Sequence, residues 1–141
     1  MSKSMFSGSC VHTVDEKSRI AMPAKFREEL GKTFVLTKGP DGCLWSLPQE
    51  PWKVILAKAT SSVPVQRFFV ASAVECSPNN KGRFLVPDVL REYADIKPRD
   101  DVVIIGLGTR IEIWARKRWE AISLQLTSDR LKQELPEFFE F

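Results

Sequence analysis

Four cations fall into two matched pairs, Lys17 with Arg19 and Lys81 with Arg83, each pair two positions apart. In an extended arm, residues two apart point to one side, so each pair would present one basic face. An arginine there could fork onto O6 and N7 of a guanine, and a lysine could do the same less rigidly or neutralise a phosphate. Asp15 and Asn79 stand at matching places four residues before each arginine. Asp15 could pair with Arg19, an ion pair worth well under about 1 kcal/mol at a surface. Taken singly, each cation reads as a solvated or structural residue. Recurrence of the whole pattern favours a nucleic-acid reader.

Little else in the chain could do chemistry. His12 is the single histidine, and no GxSxG elbow accompanies the serines. Glu28 and Glu29 are adjacent on a short helix and read as solvated surface. The run Gly106–Gly108 lacks the third glycine and following helix of a dinucleotide site. Cys10, Cys43 and Cys76 are odd in number and form no CxxC pair, which disfavours a disulfide framework or a zinc site. They are expected to be buried or half-buried free thiols. The chain is expected to be no enzyme and to need no metal or cofactor.

With 43% apolar and 28% charged residues, the 141-residue chain has the composition of a folded protein. A net charge of +3 leaves nucleic-acid binding to be decided by the placement of charge. Apolar runs such as Val102 to Ile105 are too short to span a bilayer, and MSKSMFSGSC lacks the apolar core of a signal peptide. A soluble cytoplasmic protein is expected.

The basic pairs sit inside a cassette written twice, DEKSRIAMPAKFREEL from Asp15 and NNKGRFLVPDVLREYA from Asn79. A shift of 64 pairs Asp15 with Asn79, Lys17 with Lys81, Arg19 with Arg83, Pro23 with Pro87 and Arg27 with Arg91. Further on the shift becomes 67, matching Gly39 with Gly106, Leu44 with Ile111 and Trp52 with Trp119. Self-similarity of this kind means one structural unit used twice. A unit of 55 to 60 residues rarely buries enough apolar surface alone, so the two should share a core.

Each unit repeats one order of elements. Arg19–Met22 and Arg83–Val86 read as short strands, because a residue before proline is pushed toward extended backbone. Pro23 and Pro87 suit the first turn of brief helices, with stripes of Phe26 and Leu30, and of Val89 or Leu90 with Tyr93 or Ala94. Gly31 should stop the first. Thr33–Thr37 and Asp101–Ile105 read as buried strands, Gly39, Gly42, Gly106 and Gly108 as turns, and Cys43–Leu47 and Arg110–Trp114 as returning strands. In the last, alternation puts Glu112 on a solvated face. Helices follow from Pro48, with Trp52, Ile55, Leu56 and Ala59, and from Arg116, with Trp119, Ile122 and Leu126. Thr60–Pro64 reads as a linker before a helical stretch Val65–Ala73. Leu131 and Leu135 extend the last helix to Pro136, and Phe138, Phe139 and Phe141 imply either a disordered end or a covering partner.

These paired motifs, with FVLTKGPDGCLW and VVIIGLGTRIEIWARKRWEA, resemble the MraZ family of bacterial transcriptional regulators over about residues 5 to 125. The resemblance implies an α+β fold of tandem, pseudo-two-fold, AbrB-like swapped-hairpin β-barrel units with flanking helices. It places a first repeat with its helix at 5–62, a second at 63–126 and a tail at 127–141. It implies a sequence-specific DNA-binding regulator of the division and cell-wall gene cluster, reading short G-rich direct repeats in its promoter as a ring-like homo-oligomer at the nucleoid. The expected partner is double-stranded DNA, with no membrane and no small-molecule substrate. The family's DxxxR signature maps onto Asp15 to Arg19, making Arg19 the foremost base-contacting residue, with Lys17, Lys81 and Arg83 beside it. Asn79 departs from the signature: its side-chain carbonyl can still close an Asx turn, but it lacks the charge to orient Arg83. Ser18 stands where glycine is frequent.

Three alternatives stay open at the level of sequence. Arg27 and Arg91 could touch phosphate near the helix starts, with Lys25, or anchor each helix to the other unit. An antitoxin would use its acidic, aromatic tail to hold a toxin. A purely structural oligomer would carry basic loops for solubility alone.

Overall fold

Two short strands hold the repeated cassettes together. The computed structural model describes residues 5–140. Phe141, one of the tail aromatics, lies outside the described residues, as does the start of the chain through Ser4. Strands β2 (Arg19–Ala21) and β6 (Arg83–Leu85) pair antiparallel, with Ile20 opposite Phe84 at the centre. Strand alternation sends Ile20 and Phe84 into the core, where each is under 5% exposed. The same alternation leaves Arg19, Ala21, Arg83 and Leu85 on the other face.

Extended backbone at Pro23 and Pro87 leads directly into α1 (Ala24–Leu30) and α4 (Asp88–Ala94). The prolines thus sit at the N-cap, one residue before the first turn, because ψ near 140° and 154° keeps them extended. Phe26 and Leu30 are the buried stripe of α1; Leu90 and Ala94 are that of α4, while Val89 faces solvent. Gly31, at φ 87°, ends α1.

The remaining strands form one sheet: β1 (Phe6–Thr13), β3 (Phe34–Lys38), β4 (Leu44–Leu47), β5 (Val74–Cys76), β7 (Asp101–Gly108) and β8 (Arg110–Ala115), in the order β1-β7-β8-β4-β3-β5. Among the described residues, only β3–β4 and β7–β8 are local hairpins in this sheet; β1–β7, β4–β8 and β3–β5 each join strands from different halves of the chain. Around Trp45 opposite Glu112, Leu44 meets Ile113 and Ser46 meets Ile111. A pseudo-two-fold axis therefore passes through this pair and through Ile20 and Phe84.

Both faces of the sheet are covered. One packs Phe34, Leu36, Leu44, Val102, Ile104, Ile111 and Ile113 against β2, β6, α1 and α4 in the main core. There Phe34 meets Phe84 edge to face, with ring centres 5.2 Å apart. On the other face, α2 (Gln49–Ala59) lays Trp52, Ile55 and Leu56 on Val35 and Leu47, and α5 (Arg116–Ser123) lays Trp119 and Ile122 on Val103, Ile105 and Trp114. Full burial of one such side chain contributes about 1.5–3 kcal/mol. A shared core therefore serves both halves, as their small size requires.

Several sequence expectations shift. Gly106 is not a turn residue but lies inside β7, where its Cα faces Gly8 and an added Cβ would press on the Phe6–Ser7 backbone. Register makes Lys38, not Gly39, its counterpart, since Lys38 pairs with Leu44 as Gly106 pairs with Ile111. Strand β7 runs on to Gly108, and a turn of Gly108 and Thr109 leads to β8. The first hairpin instead uses Gly39 to Cys43. Glu112 is 9% exposed rather than solvated, because α5 covers that face and the indoles of Trp45 and Trp114 close over the carboxylate. Helix α5 stops at Ser123, so Leu126 falls beyond it. Ser62 caps α3 (Val63–Val65), which runs into a π turn at Gln66–Val70, so helical structure begins inside the expected linker. The tail forms a separate α6 (Ser128–Glu134), begun by Thr127, whose side chain accepts from the Arg130 N–H. A short 3-10 turn at Pro136–Phe139 follows, with Phe138 61% exposed. Among the described residues, no helix is long and apolar enough to cross a membrane.

Candidate nucleic-acid interface

The two basic turns are built alike, each around one side chain. Asp15 Oδ1 accepts the Lys17 and Arg19 N–H groups at 2.9 and 2.8 Å. Asn79 Oδ1 accepts the Lys81 and Arg83 N–H groups, both at 3.0 Å. Each turn is closed by matching main-chain bonds, Asp15 N–H to Arg19 and Asn79 N–H to Arg83. Asparagine thus keeps the turn without the charge, as an Asx-type turn allows. These are tight turns, not extended arms: Ser18 has φ 62° and Gly82 φ 77°. The one-sided alternation expected of Lys17 with Arg19 does not apply, because Lys17 lies in the turn and only Arg19 in a strand.

The second oxygen of Asp15 separates the two copies. Oδ2 accepts from Arg19 Nε at 2.8 Å, so the carboxylate holds the guanidinium by its inner nitrogen. Burial pushes the Asp15 carboxyl up, but the Arg19 and Lys17 amide bonds, with the Arg19 guanidinium, bring its pKa below the ordinary value. Among the described residues, neither Nη of Arg19 has a hydrogen-bond partner, and Arg83 has none for its side chain. Lys17 and Lys81 are exposed at the turn tips.

The ribbon brings both arginines to one face. Arg19 lies opposite Leu85 and Arg83 opposite Ala21, so the two are diagonal neighbours, about 7–8 Å apart by sheet geometry. Leu85, 58% exposed, shares that face. Each turn is also bonded to the opposite half, since the Met22 N–H donates to the Gly82 carbonyl and the Val86 N–H to the Ser18 carbonyl.

Arg27 and Arg91 point elsewhere. Arg27 Nε donates to the Met22 carbonyl and Nη2 to the Lys81 carbonyl, while Arg91 donates to the Val86 carbonyl and to Asp88. Lys25 Nζ lies over the Phe26 ring, 5.0 Å from its centre. Sequence reasoning missed the bridge from Arg99 to the first turn. The Arg99 N–H donates to the Val14 carbonyl and the Val14 N–H to the Asp100 carbonyl, both at 2.8 Å, and Arg99 pairs with Glu16. The growth of the repeat shift between the cassettes and the strands that follow them was the available signal.

Elsewhere, Glu112 is held on the pseudo-axis by the indole N–H groups of Trp114 at 2.9 Å and Trp45 at 3.1 Å, and by Arg110. It ties two helix-covered clusters together. Cys43 and Cys76 are buried free thiols and Cys10 is half-buried. Burial pushes Cys76 up to about 12, helped by Glu75, and burial also raises Cys43, helped by Glu112. Among the described residues, no cluster of His, Cys, Asp and Glu could hold a metal ion.

The family model described as "MraZ protein, putative antitoxin-like" matches residues 5–67 and again 69–139. Proteins named "Transcriptional regulator MraZ" are similar over most of their length. That of Thermoanaerobacter sp. (strain X514) is 48% identical, covering 84% of this chain and 87% of the relative. That of Carboxydothermus hydrogenoformans is 46% identical, covering 82% and 84%. That of Moorella thermoacetica is 44% identical, covering 89% and 91%. With two matches spanning nearly the whole chain and relatives of this closeness, the chain belongs to the MraZ family.

Proposed function

We propose that this protein is a DNA-binding transcriptional regulator whose β2–β6 ribbon and its two turns meet the DNA. The supporting observation is the outward ribbon face, where Arg19 and Arg83 stand as diagonal neighbours and exposed Lys17 and Lys81 flank them. A major groove admits a two-stranded ribbon. The diagonal of about 7–8 Å is roughly two base steps. Arg19, fixed through Nε, keeps both Nη groups for O6 and N7 of a guanine. Lys17 and Lys81 are placed to neutralise phosphates, and Asp15 and Asn79 orient the turns. The first turn is the primary reader, because its arginine is pre-oriented by a carboxylate and that of the second is not.

Family resemblance supports the finer reading: AbrB-like swapped-hairpin units at 5–62 and 63–126 with a tail at 127–141, acting as a ring-like homo-oligomer on G-rich direct repeats before the division and cell-wall gene cluster, at the nucleoid. Strand pairings that cross between halves fit the swapped hairpins. Repetition also has a physical use, since linked copies raise the effective concentration of each further contact.

The test is fluorescence anisotropy with DNA from upstream of the protein's own gene, competed by scrambled DNA across several salt concentrations. Selective, salt-sensitive binding supports the reading. Equal binding to scrambled DNA sinks it.

A further inference from the structure

Arg27 and Arg91 begin with the same contact and then diverge. Nε of each donates to the carbonyl before its helix, Arg27 to Met22 at 2.7 Å and Arg91 to Val86 at 3.1 Å. Arg27 Nη2 then crosses to the other half of the chain and donates to the Lys81 carbonyl, 2.8 Å away, in the second basic turn. Arg91 Nη2 turns back to Asp88 on its own helix. Among the described residues, nothing equivalent to the Arg27 bond reaches the first turn.

Two residue differences account for this. Gly82 leaves open the space the Arg27 guanidinium fills, and a Cβ built there would overlap Arg27 Nε, Cζ and Nη2. Its counterpart Ser18 has the same left-handed backbone but carries a side chain into that place. Asp88 also offers Arg91 a carboxylate where the first half has Ala24. The first turn is held instead through main chain, by Arg99 and Asp100 bonded to Val14. Where the second turn would have such a bridge, the shorter connection Gly31–Thr33 leaves an open cleft also lined by Phe34, Pro78 and Asn80.

We propose that Arg27 is a positioning residue for the second turn, acting through the Lys81 carbonyl, and that the first turn is held without its counterpart Arg91. The consequence for binding rests on the DNA-reading function proposed above. Arg27 would then set how well Lys81 and Arg83 are presented, while Lys17 and Arg19 are insensitive to Arg91.

Amide hydrogen exchange of the free protein tests the brace without DNA, at Lys17, Arg19, Lys81 and Arg83. Arg27→Ala is expected to speed exchange at Lys81 and Arg83 about fivefold, the worth of one ordinary hydrogen bond, and leave Lys17 and Arg19 unchanged. Arg27→Lys, which can reach one carbonyl but not both, should recover part of the protection. Arg91→Ala should change neither turn. In a Ser18→Gly, Asp88→Ala background, which gives the first turn both features of the second, Arg91→Ala should loosen Lys17 and Arg19. Uniform loosening of all four amides by Arg27→Ala, or no loosening at all, overturns the proposal.

Anisotropy with the upstream DNA is the second arm. Weaker selective binding by Arg27→Ala, partly rescued by Arg27→Lys, supports a role in reading. Loosened Lys81 and Arg83 with unchanged binding leaves the brace standing and overturns DNA contact by the second turn.

Discussion

Replacing Asp15 by asparagine separates what the side chain does for the turn from what its charge does for Arg19. Asn79 shows that an amide oxygen supports two turn N–H bonds at 3.0 Å, so Asp15→Asn should keep the Lys17 and Arg19 amides bonded. Only the Oδ2 bond to Arg19 Nε is lost. That pair is 26% and 33% exposed, so its loss should cost about 0.2–1 kcal/mol. Asp15→Ala also strips the two amide bonds, each worth about 0.5–1.5 kcal/mol, so it should cost about 1–3 kcal/mol more than Asp15→Asn. The depressed carboxyl pKa fixes the sign with pH. The charge contributes stability that is complete above the ordinary value of 3.8 and lost as pH falls through the lower folded value. Urea unfolding of wild type, Asp15→Asn and Asp15→Ala between pH 3 and 7 reads all three terms. Equal costs for the two variants at neutral pH would refute the Asx-turn reasoning, and a gap between wild type and Asp15→Asn that does not begin to narrow as pH falls below 3.8 would refute the role of the charge.

Lys17→Ala should weaken binding to specific and scrambled DNA alike and reduce the log–log salt slope by about 0.9, the share of one phosphate contact; an unchanged slope places Lys17 off the DNA. Glu112→Ala removes the acceptor of two indoles and leaves Arg110 half-buried without its partner, so urea unfolding should show a loss of about 3–5 kcal/mol. A loss below about 1 kcal/mol would mean that the site relaxes or hydrates. Alkylation of the native protein at neutral pH should modify Cys10 alone, and unfolding should release Cys43 and Cys76. Mass spectrometry that finds all three modified at equal rates in the native state would contradict their burial.

The repeated cassette was legible because its signals are local. The prolines, the Asx residues and the Phe26 and Leu30 stripe each act within a few residues, and their recurrence located both turns and the ribbon strands. Glu112 was misplaced because alternation cannot reveal whether a second layer covers the far face of a sheet. Gly106 was misassigned because glycine marks turns and close strand approaches alike, and only the pairing with Gly8 distinguishes them. The sequence leaves Arg27 open between phosphate and a neighbouring unit. Its bond to Lys81 depends on strands crossing between halves, which no local pattern encodes. The basic residues were named from sequence, but their shared face follows from the β2–β6 register.

The measurement that bears most directly on the central claim combines Arg19→Ala with upstream DNA whose guanines are replaced by 7-deazaguanine, read by anisotropy at fixed salt. If Arg19 forks onto guanine N7 and O6, the base change should weaken wild-type binding, and Arg19→Ala should weaken binding to unmodified DNA by about tenfold to a hundredfold. Made together, the two changes should cost much less than their sum, since both remove the same contact. Full additivity, or wild-type affinity indifferent to the missing N7, would contradict guanine reading by Arg19.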